Sequence, residues 1–232
     1  MVIVTRPRPN EGVPLALRHE DPDLLVLEKP AGRVMHPGPE HGRDTLLNGL
    51  VARYPELLLL GEARGWGLVH RLDRDTSGLV VVARSAGARD ALVAAFSARE
   101  VEKRYRALTA GAPQQPAGTI EAPLEGQEAV TRWELLERAG SGRLTVGLLA
   151  LRPATGRTHQ LRLHLAGIGC PILGDKRHGP TGIPLAQRLG LRRVALHAEA
   201  LAFRHPATGE RMAWESPWPE ELERAWRNAL TL

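Results

Sequence analysis

The chain has 232 residues, 43% of them hydrophobic, enough for a substantial core in one large domain or two small ones. Its single cysteine, Cys170, excludes an intrachain disulfide and the common structural zinc patterns. No stretch reaches the ~18 uninterrupted apolar residues of a membrane span, and the opening MVIVTRPRPNEG lacks an apolar signal core, so a reducing cytoplasm is the expected compartment.

Residues 1–20 are rich in proline and arginine with weak periodicity and read as an extended arm, followed by one domain over 21–232. DLLVLEKP (23–30) has the apolar density of a strand stopped by Pro30, and AGRVMHPGPEHGRD (31–44) is a loop by its glycine and proline content. Residues 45–53 predict a helix with Asp44 as N-cap and an apolar stripe of Leu46, Leu47, Leu50 and Val51; Gly61–Gly67 is a further loop. The run Leu79–Ala83 predicts a buried strand, and 85–100 a helix.

Residues 102–111 then alternate as in a strand, and 119–124, 129–137 and 143–151 add three candidate strands separated by turn signals. TGRTHQLRLHLAGIG (155–169) switches to a helical stripe of Leu161, Leu165 and Ile168. Residues 192–203 and 211–214 predict a hairpin across HPATGE, and 220–230 a helix whose acidic first turn suits the helix dipole. With no internal repeat and no long linker, the pattern predicts an α+β fold on a mixed, mostly antiparallel sheet flanked by helices and loops.

The formal net charge is +5, which suits a polyanionic partner. Positive charge concentrates in REVEKRYR (99–106), GDKRHG (174–179) and RLGLRR (188–193). Each cluster equally fits a solvated face.

The densest charge pattern is HRLDRDTSG (70–78), set directly before the apolar run. Charges taken out of water need partners, so this is either a structural ion-pair knot or a reaction site. In an extended segment Arg71, Asp73 and Asp75 share one face and His70, Leu72 and Arg74 the other. A carboxylate beside a guanidinium stays ionised and can act as nucleophile or charge stabiliser. Asp75, followed by Thr76, Ser77 and Gly78, has the character of a turn residue, which leaves Asp73 as the better reactive candidate.

GLVHRLDRDTSGLVVVA resembles the signature of the RluA-type RNA pseudouridine synthases. Further stretches are similar to that family's motifs, in the same order: KPAGRVMHPG (29–38) and TLLNGL (45–50), EKRYRAL (102–108), PATGRTHQLRLHLAGIGCPILGD (153–175) and LHAEALAFRHPATGE (196–210). The resemblance implies the pseudouridine synthase catalytic fold. It also implies an isomerase that breaks the glycosidic bond of a uridine in RNA, turns the uracil and rejoins it through carbon 5. No metal and no nucleotide cofactor is implied.

By that resemblance Asp73 is the essential aspartate, Arg162 the arginine that pairs with it, and Tyr105 the tyrosine that stacks on the base or shuttles a proton. Arg71 is implied to hold the flipped state, with His70, Arg74, Arg157, Thr158 and His159 as further phosphate or sugar contacts. His159 and His164, five apart, do not share a helical face as a metal pair needs. The core begins near residue 20, so the expectation is a compact member without an N-terminal RNA-binding module. It is expected to act on structured ribosomal or transfer RNA as a monomer, with no membrane and no obligate protein partner.

Three other readings compete: an inactive RNA-binding protein of the same fold, a glycosylase using Asp73 as nucleophile, and a metal phosphoesterase. Retention of Asp73, Tyr105 and Arg162 together argues against the first. The second wants a second carboxylate as acid/base, for which Asp75 is the only nearby one in sequence, and its product would be free base or sugar instead of an isomer; sensitivity to chelators would mark the third.

Overall fold

The computed structural model describes residues 6–232, so the first five residues of the expected arm lie outside the described part. In chain order the elements are β1 (Ala16–Glu20), β2 (Leu24–Lys29), α1 (Leu46–Arg53), β3 (Ser77–Ala83), α2 (Ala86–Ser97), β4 (Glu102–Ala110), β5 (Ala117–Ile120), β6 (Thr131–Ala139), β7 (Val146–Pro153), α3 (Gln160–Gly167), α4 (Ile183–Arg188), β8 (Leu196–Arg204), β9 (Arg211–Glu215) and α5 (Glu220–Ala229). Their contacts form two compact units: the described residues up to Glu102 with Ala200–Ser216, and Lys103–Glu199 with Pro217–Leu232. The sequence pattern alone indicates a single domain over 21–232.

In the first unit the strand order is β1-β2-β3-β8, with β9 on β8. β2 and β3 pair antiparallel from Leu24↔Ala83 to Lys29↔Gly78. Every residue of β3 is buried, which is why SGLVVVA reads as a continuous apolar run rather than an alternation. Leu24, Val26, Leu79 and Val81 form a core with Leu92 of α2 and Leu201 and Phe203 of β8. Ala16–Glu20, by sequence the end of the arm, pairs with β2 as an edge strand.

The β1–β2 turn is an electrostatic anchor. Asp21 Oδ1 accepts the backbone N–H groups of Asp23 (2.7 Å) and Leu24 (2.9 Å), while Oδ2 faces His19 Nε2 (2.5 Å) and His205 Nε2 (3.1 Å). Burial alone would raise the Asp21 carboxyl; the bonds from His19, Leu24, Asp23 and His205 outweigh it and bring its pKa down to about 2. Asp21, Asp23 and His205 bring ligand-type atoms within 4.8 Å of one another. However, His205 Nδ1 already accepts the N–H groups of Ala207 and Thr208, so both of its ring nitrogens are committed to this turn network.

Helix α1 begins one residue later than the sequence indicates. Thr45, not Asp44, is its N-cap: the Thr45 hydroxyl accepts the Asn48 N–H and the Asn48 side chain accepts the Thr45 N–H, a reciprocal capping box. The Asp44 carboxylate instead pairs with His41 at 3.0 Å.

In the second unit the strand order is β4-β7-β6-β5, with antiparallel registers Tyr105↔Leu151, Trp133↔Leu151 and Gly118↔Trp133. Its core gathers Leu108, Leu149, Leu165, Ile172, Leu173 and Trp226. The helix expected over 155–169 contracts to α3. Gln160 Oε1 accepts the Thr155 hydroxyl (2.7 Å) and the Arg157 N–H (3.0 Å), and His159 stands at φ 55. These side-chain bonds hold 155–159 as a loop, and a left-handed residue cannot continue a helix into it.

Candidate active site

In the first unit the segment 68–76 runs beside β3. Leu68 bridges Val82, and the Val81 N–H donates to His70 Nε2 at 2.9 Å. His70 also stacks on Phe96, centroids 4.8 Å apart. One ring nitrogen of this proposed RNA contact is therefore committed to the sheet backbone. Arg71 is exposed, Leu72 buried and Asp73 half-buried, the alternation an extended segment requires. The pattern ends at Asp73, whose carbonyl accepts the Thr76 N–H at 3.1 Å to close a turn. Arg74 is exposed on that turn, with Nε 3.3 Å from Asp75 Oδ1.

The turn is fixed from beneath by Lys29, a residue that sequence reasoning does not single out. Its side chain is 0% exposed. The ammonium donates to the carbonyls of Pro30 (2.8 Å), Arg33 (2.8 Å) and Arg74 (3.0 Å). Three backbone acceptors satisfy the three donors of a lysine, and they tie the loop after β2 to the turn that carries Asp73. A signal does exist in the sequence: a lysine closing an otherwise apolar strand, immediately before Pro30, is a charge that must find partners.

In the second unit Tyr105 is half-buried on β4 and packs against that unit's core. Arg162 lies on α3 with its side chain 11% exposed and forms a two-pronged bond to Asp175: Nε to Oδ2 at 2.7 Å and Nη2 to Oδ1 at 2.8 Å. Asp175 is 1% exposed and also accepts the Arg177 and His178 N–H groups, both at 3.0 Å. Burial would raise its carboxyl, but the Arg162 bonds and charge and the two N–H groups carry it below the usual carboxylate range. Asp175 is a second residue that sequence reasoning passes over. It stands after Gly174, where φ is 77 and an added Cβ would lie 2.0 Å from the Arg193 carbonyl oxygen, so only glycine fits and the turn delivers the carboxylate to α3.

The remaining candidates are less committed to a site. Arg157 is exposed and donates through Nε to the Glu128 carbonyl at 3.0 Å, Thr158 is exposed, and His159 Nδ1 lies 2.8 Å from His178 Nε2. His164 is a structural histidine: its Nδ1 meets Thr131 Oγ1 and its Nε2 meets the Ala122 carbonyl, each at 2.9 Å. The structure thus groups His70, Arg71, Asp73 and Arg74 in the first unit, and Tyr105, Arg157, Thr158, His159 and Arg162 in the second.

The family model described as RNA pseudouridylate synthase matches residues 23–167, a range that holds Asp73, Tyr105 and Arg162. The chain belongs to this family. Its members are isomerases acting on RNA, and the likeness is to the RluA-type branch seen in the motifs. The chain is 41% identical over 236 residues to the ribosomal large subunit pseudouridine synthase D of Xanthomonas campestris, covering 92% of this chain and 69% of that protein. It is 37% identical over 241 residues to an RNA pseudouridine synthase of Bacillus subtilis, covering 95% and 77%. Among solved structures, human RNA Pseudouridylate Synthase Domain Containing 4 superposes with a TM-score of 0.71 at 26% identity, covering 93% of each chain. The expected α+β fold with a mostly antiparallel sheet is therefore that of pseudouridylate synthase domains. No helix among the described residues is long and apolar enough to cross a membrane.

Proposed function

We propose that this chain isomerises a uridine of large-subunit ribosomal RNA to pseudouridine, acting as a monomer in the cytoplasm, with Asp73 as the carboxylate that acts on the ribose. In the overall reaction the bond from the anomeric carbon to N1 breaks, the uracil turns, and the anomeric carbon bonds to C5. C5 loses a proton and N1 gains one, so nothing is oxidised or hydrolysed. Asp73 either attacks the anomeric carbon or stabilises cationic character there while a neighbouring proton leaves, and both routes require it ionised. Tyr105 and Arg162 serve the same reaction, the first by stacking on the base or moving a proton, the second as the guanidinium that keeps a carboxylate charged.

The observation that carries the reading is the anchoring of the turn at Asp73. Lys29 holds the Arg74 carbonyl from below and the Thr76 N–H closes on the Asp73 carbonyl, so a half-buried carboxylate is presented on a backbone fixed at both sides. Ribosomal RNA is favoured over transfer RNA by the names of the relatives in Xanthomonas campestris and Pseudomonas aeruginosa. Arg71 and Arg74, both exposed, supply phosphate or sugar contacts.

The test is Asp73→Asn, which keeps shape and removes charge. Pseudouridine formation in ribosomal RNA is expected to vanish while RNA binding stays within about threefold of wild type. Wild-type turnover in the variant would refute the role of Asp73. Release of free uracil by the wild-type protein would identify a glycosylase instead.

A further inference from the structure

Beside Arg71 the first unit holds a cavity of about 300 Å³ that the reaction chemistry does not use. Its walls include Met35, Trp66, Leu68 and Val69, and its polar edge includes His36, Glu62 and Arg71. We propose that this cavity receives one unpaired nucleobase of the RNA substrate, a neighbour of the target uridine in the same loop, and so contributes to the choice of site. This rests on the reading of the chain as an RNA isomerase and extends it.

Size is the first argument. A cavity at the small end of ligand pockets accepts one planar heterocycle and excludes a base pair or a folded peptide. Chemistry is the second. Apolar and aromatic walls attract the face of any base, and burying one extruded base against such walls offsets part of the cost of unstacking it. The edge is mixed in charge. Arg71 is exposed and attracts the phosphates on either side of the base, whereas the exposed Glu62 carboxylate disfavours a phosphate inside the cavity. Burial, and after it the positive charge of Arg71, lower the His36 pKa from the ordinary histidine value and so favour the neutral ring. A neutral imidazole has one donor and one acceptor nitrogen, the complement of a base edge.

Backbone strain is the third argument. Trp66 adopts φ 49 and ψ 40, left-handed for a residue with a Cβ, between Gly65 at φ 56 and Gly67 at φ 90. An added Cβ at Gly67 would lie 2.2 Å from the Ala83 carbonyl oxygen, so the chain is pressed against the end of β3 here. Such a conformation persists only where surrounding structure imposes it, and such sites cluster at ligand clamps. The indole is buried to 4% exposure while lining the cavity.

The experiment uses Asp73→Asn protein, so that the readout is binding and needs no turnover. The probe is the stem-loop of large-subunit ribosomal RNA that this protein binds most tightly. Each loop nucleotide is replaced in turn by an abasic ribose. One abasic position is expected to weaken binding about tenfold; Leu68→Trp, which fills the cavity from a half-buried position, is expected to weaken the intact loop by the same factor, and the two together no further. Additive losses, or a Leu68→Trp protein that binds the intact loop at full strength, would overturn the proposal. Because the larger side chain can disturb folding, a second measurement leaves the protein unaltered. 2-Aminopurine placed at each loop position is expected to be shielded from acrylamide at the position found by abasic scanning, and no shielding there overturns the proposal. Wild-type turnover is followed in parallel. Pseudouridine without coupling refutes the cavity alone, and coupling without pseudouridine refutes the isomerase reading alone.

Discussion

Replacing Asp175 by asparagine tests how Arg162 is held. In the native second unit the carboxylate is 1% exposed and takes two bonds from Arg162, at 2.7 and 2.8 Å, and two from backbone N–H groups at 3.0 Å. Removing one member of a buried ion pair costs about 3–5 kcal/mol, because the other charge stays buried and loses a compensating bond. Asparagine retains Oδ1 as an acceptor for the Arg177 and His178 N–H groups, which places Asp175→Asn at the lower end, about 3 kcal/mol. Asp175→Ala orphans both donors as well and costs about 5 kcal/mol. For a chain of 232 residues the asparagine variant should melt about 6–12 °C lower. Thermal and urea unfolding followed by circular dichroism measure this directly. Under the proposed function the same variant loses kcat by about a hundredfold with a smaller change in KM, because the guanidinium loses its orientation rather than its charge. An Asp175→Asn protein within about 1 kcal/mol of wild type would refute the claim that this pair is an essential buried interaction.

Two further predictions concern the first unit. Lys29→Met has similar length and no charge, and it leaves three carbonyls without their donor; unfolding free energy should fall by about 3 kcal/mol, with faster amide exchange in the loop and turn segments around residues 30–33 and 73–76, and a loss under about 1 kcal/mol would contradict the anchoring role. Asp21, with a folded pKa of about 2 against an ordinary 3.8, contributes stability that is complete above about pH 4 and is lost as pH falls through 2, about 2 kcal/mol in all. Asp21→Asn should be less stable than wild type at pH 7 by that amount and converge on it near pH 2, as acid titration of the unfolding midpoint would show; a constant gap across that range would refute the assignment.

The parts of the fold legible in the sequence are those that a local pattern determines. β3 is read from an unbroken apolar run, because burying it outweighs every other local preference, and α5 from its acidic first turn. β1 escapes such a reading because Ala16–Glu20 is never fully buried; an edge strand carries little apolar signal and owes its existence to its neighbour. α4 is only six residues with Pro184 in its first turn, too short for periodicity to register. The stripe of Leu161, Leu165 and Ile168 lies wholly after Gln160 and sets no helix start, and Gln160, through two side-chain bonds, holds 155–159 as a loop that the sequence alone reads as helix. Of the site, Asp73 stands out by local charge density against a strand. Lys29 and Asp175 do not, since their partners, three carbonyls for the one and the Arg162 guanidinium with two N–H groups for the other, come together only after folding.

The same distinction answers what a dense ionic cluster is doing beside a buried strand. A charge that serves architecture bonds the backbone of a loop, as Lys29 does with three carbonyls and Asp21 and Asp175 do with pairs of N–H groups beside their side-chain partners. Such fully satisfied groups fix a loop in one conformation. The guanidiniums of Arg71 and Arg74, by contrast, are exposed, Arg74 on the turn that Lys29 holds and Arg71 on the extended segment before it, and exposed arginines on a fixed backbone suit an external anion. From the sequence, the structural knot and the reaction site are alternatives. In the folded first unit they divide the work: Lys29 makes the knot, and the proposed reaction belongs to the residues it presents.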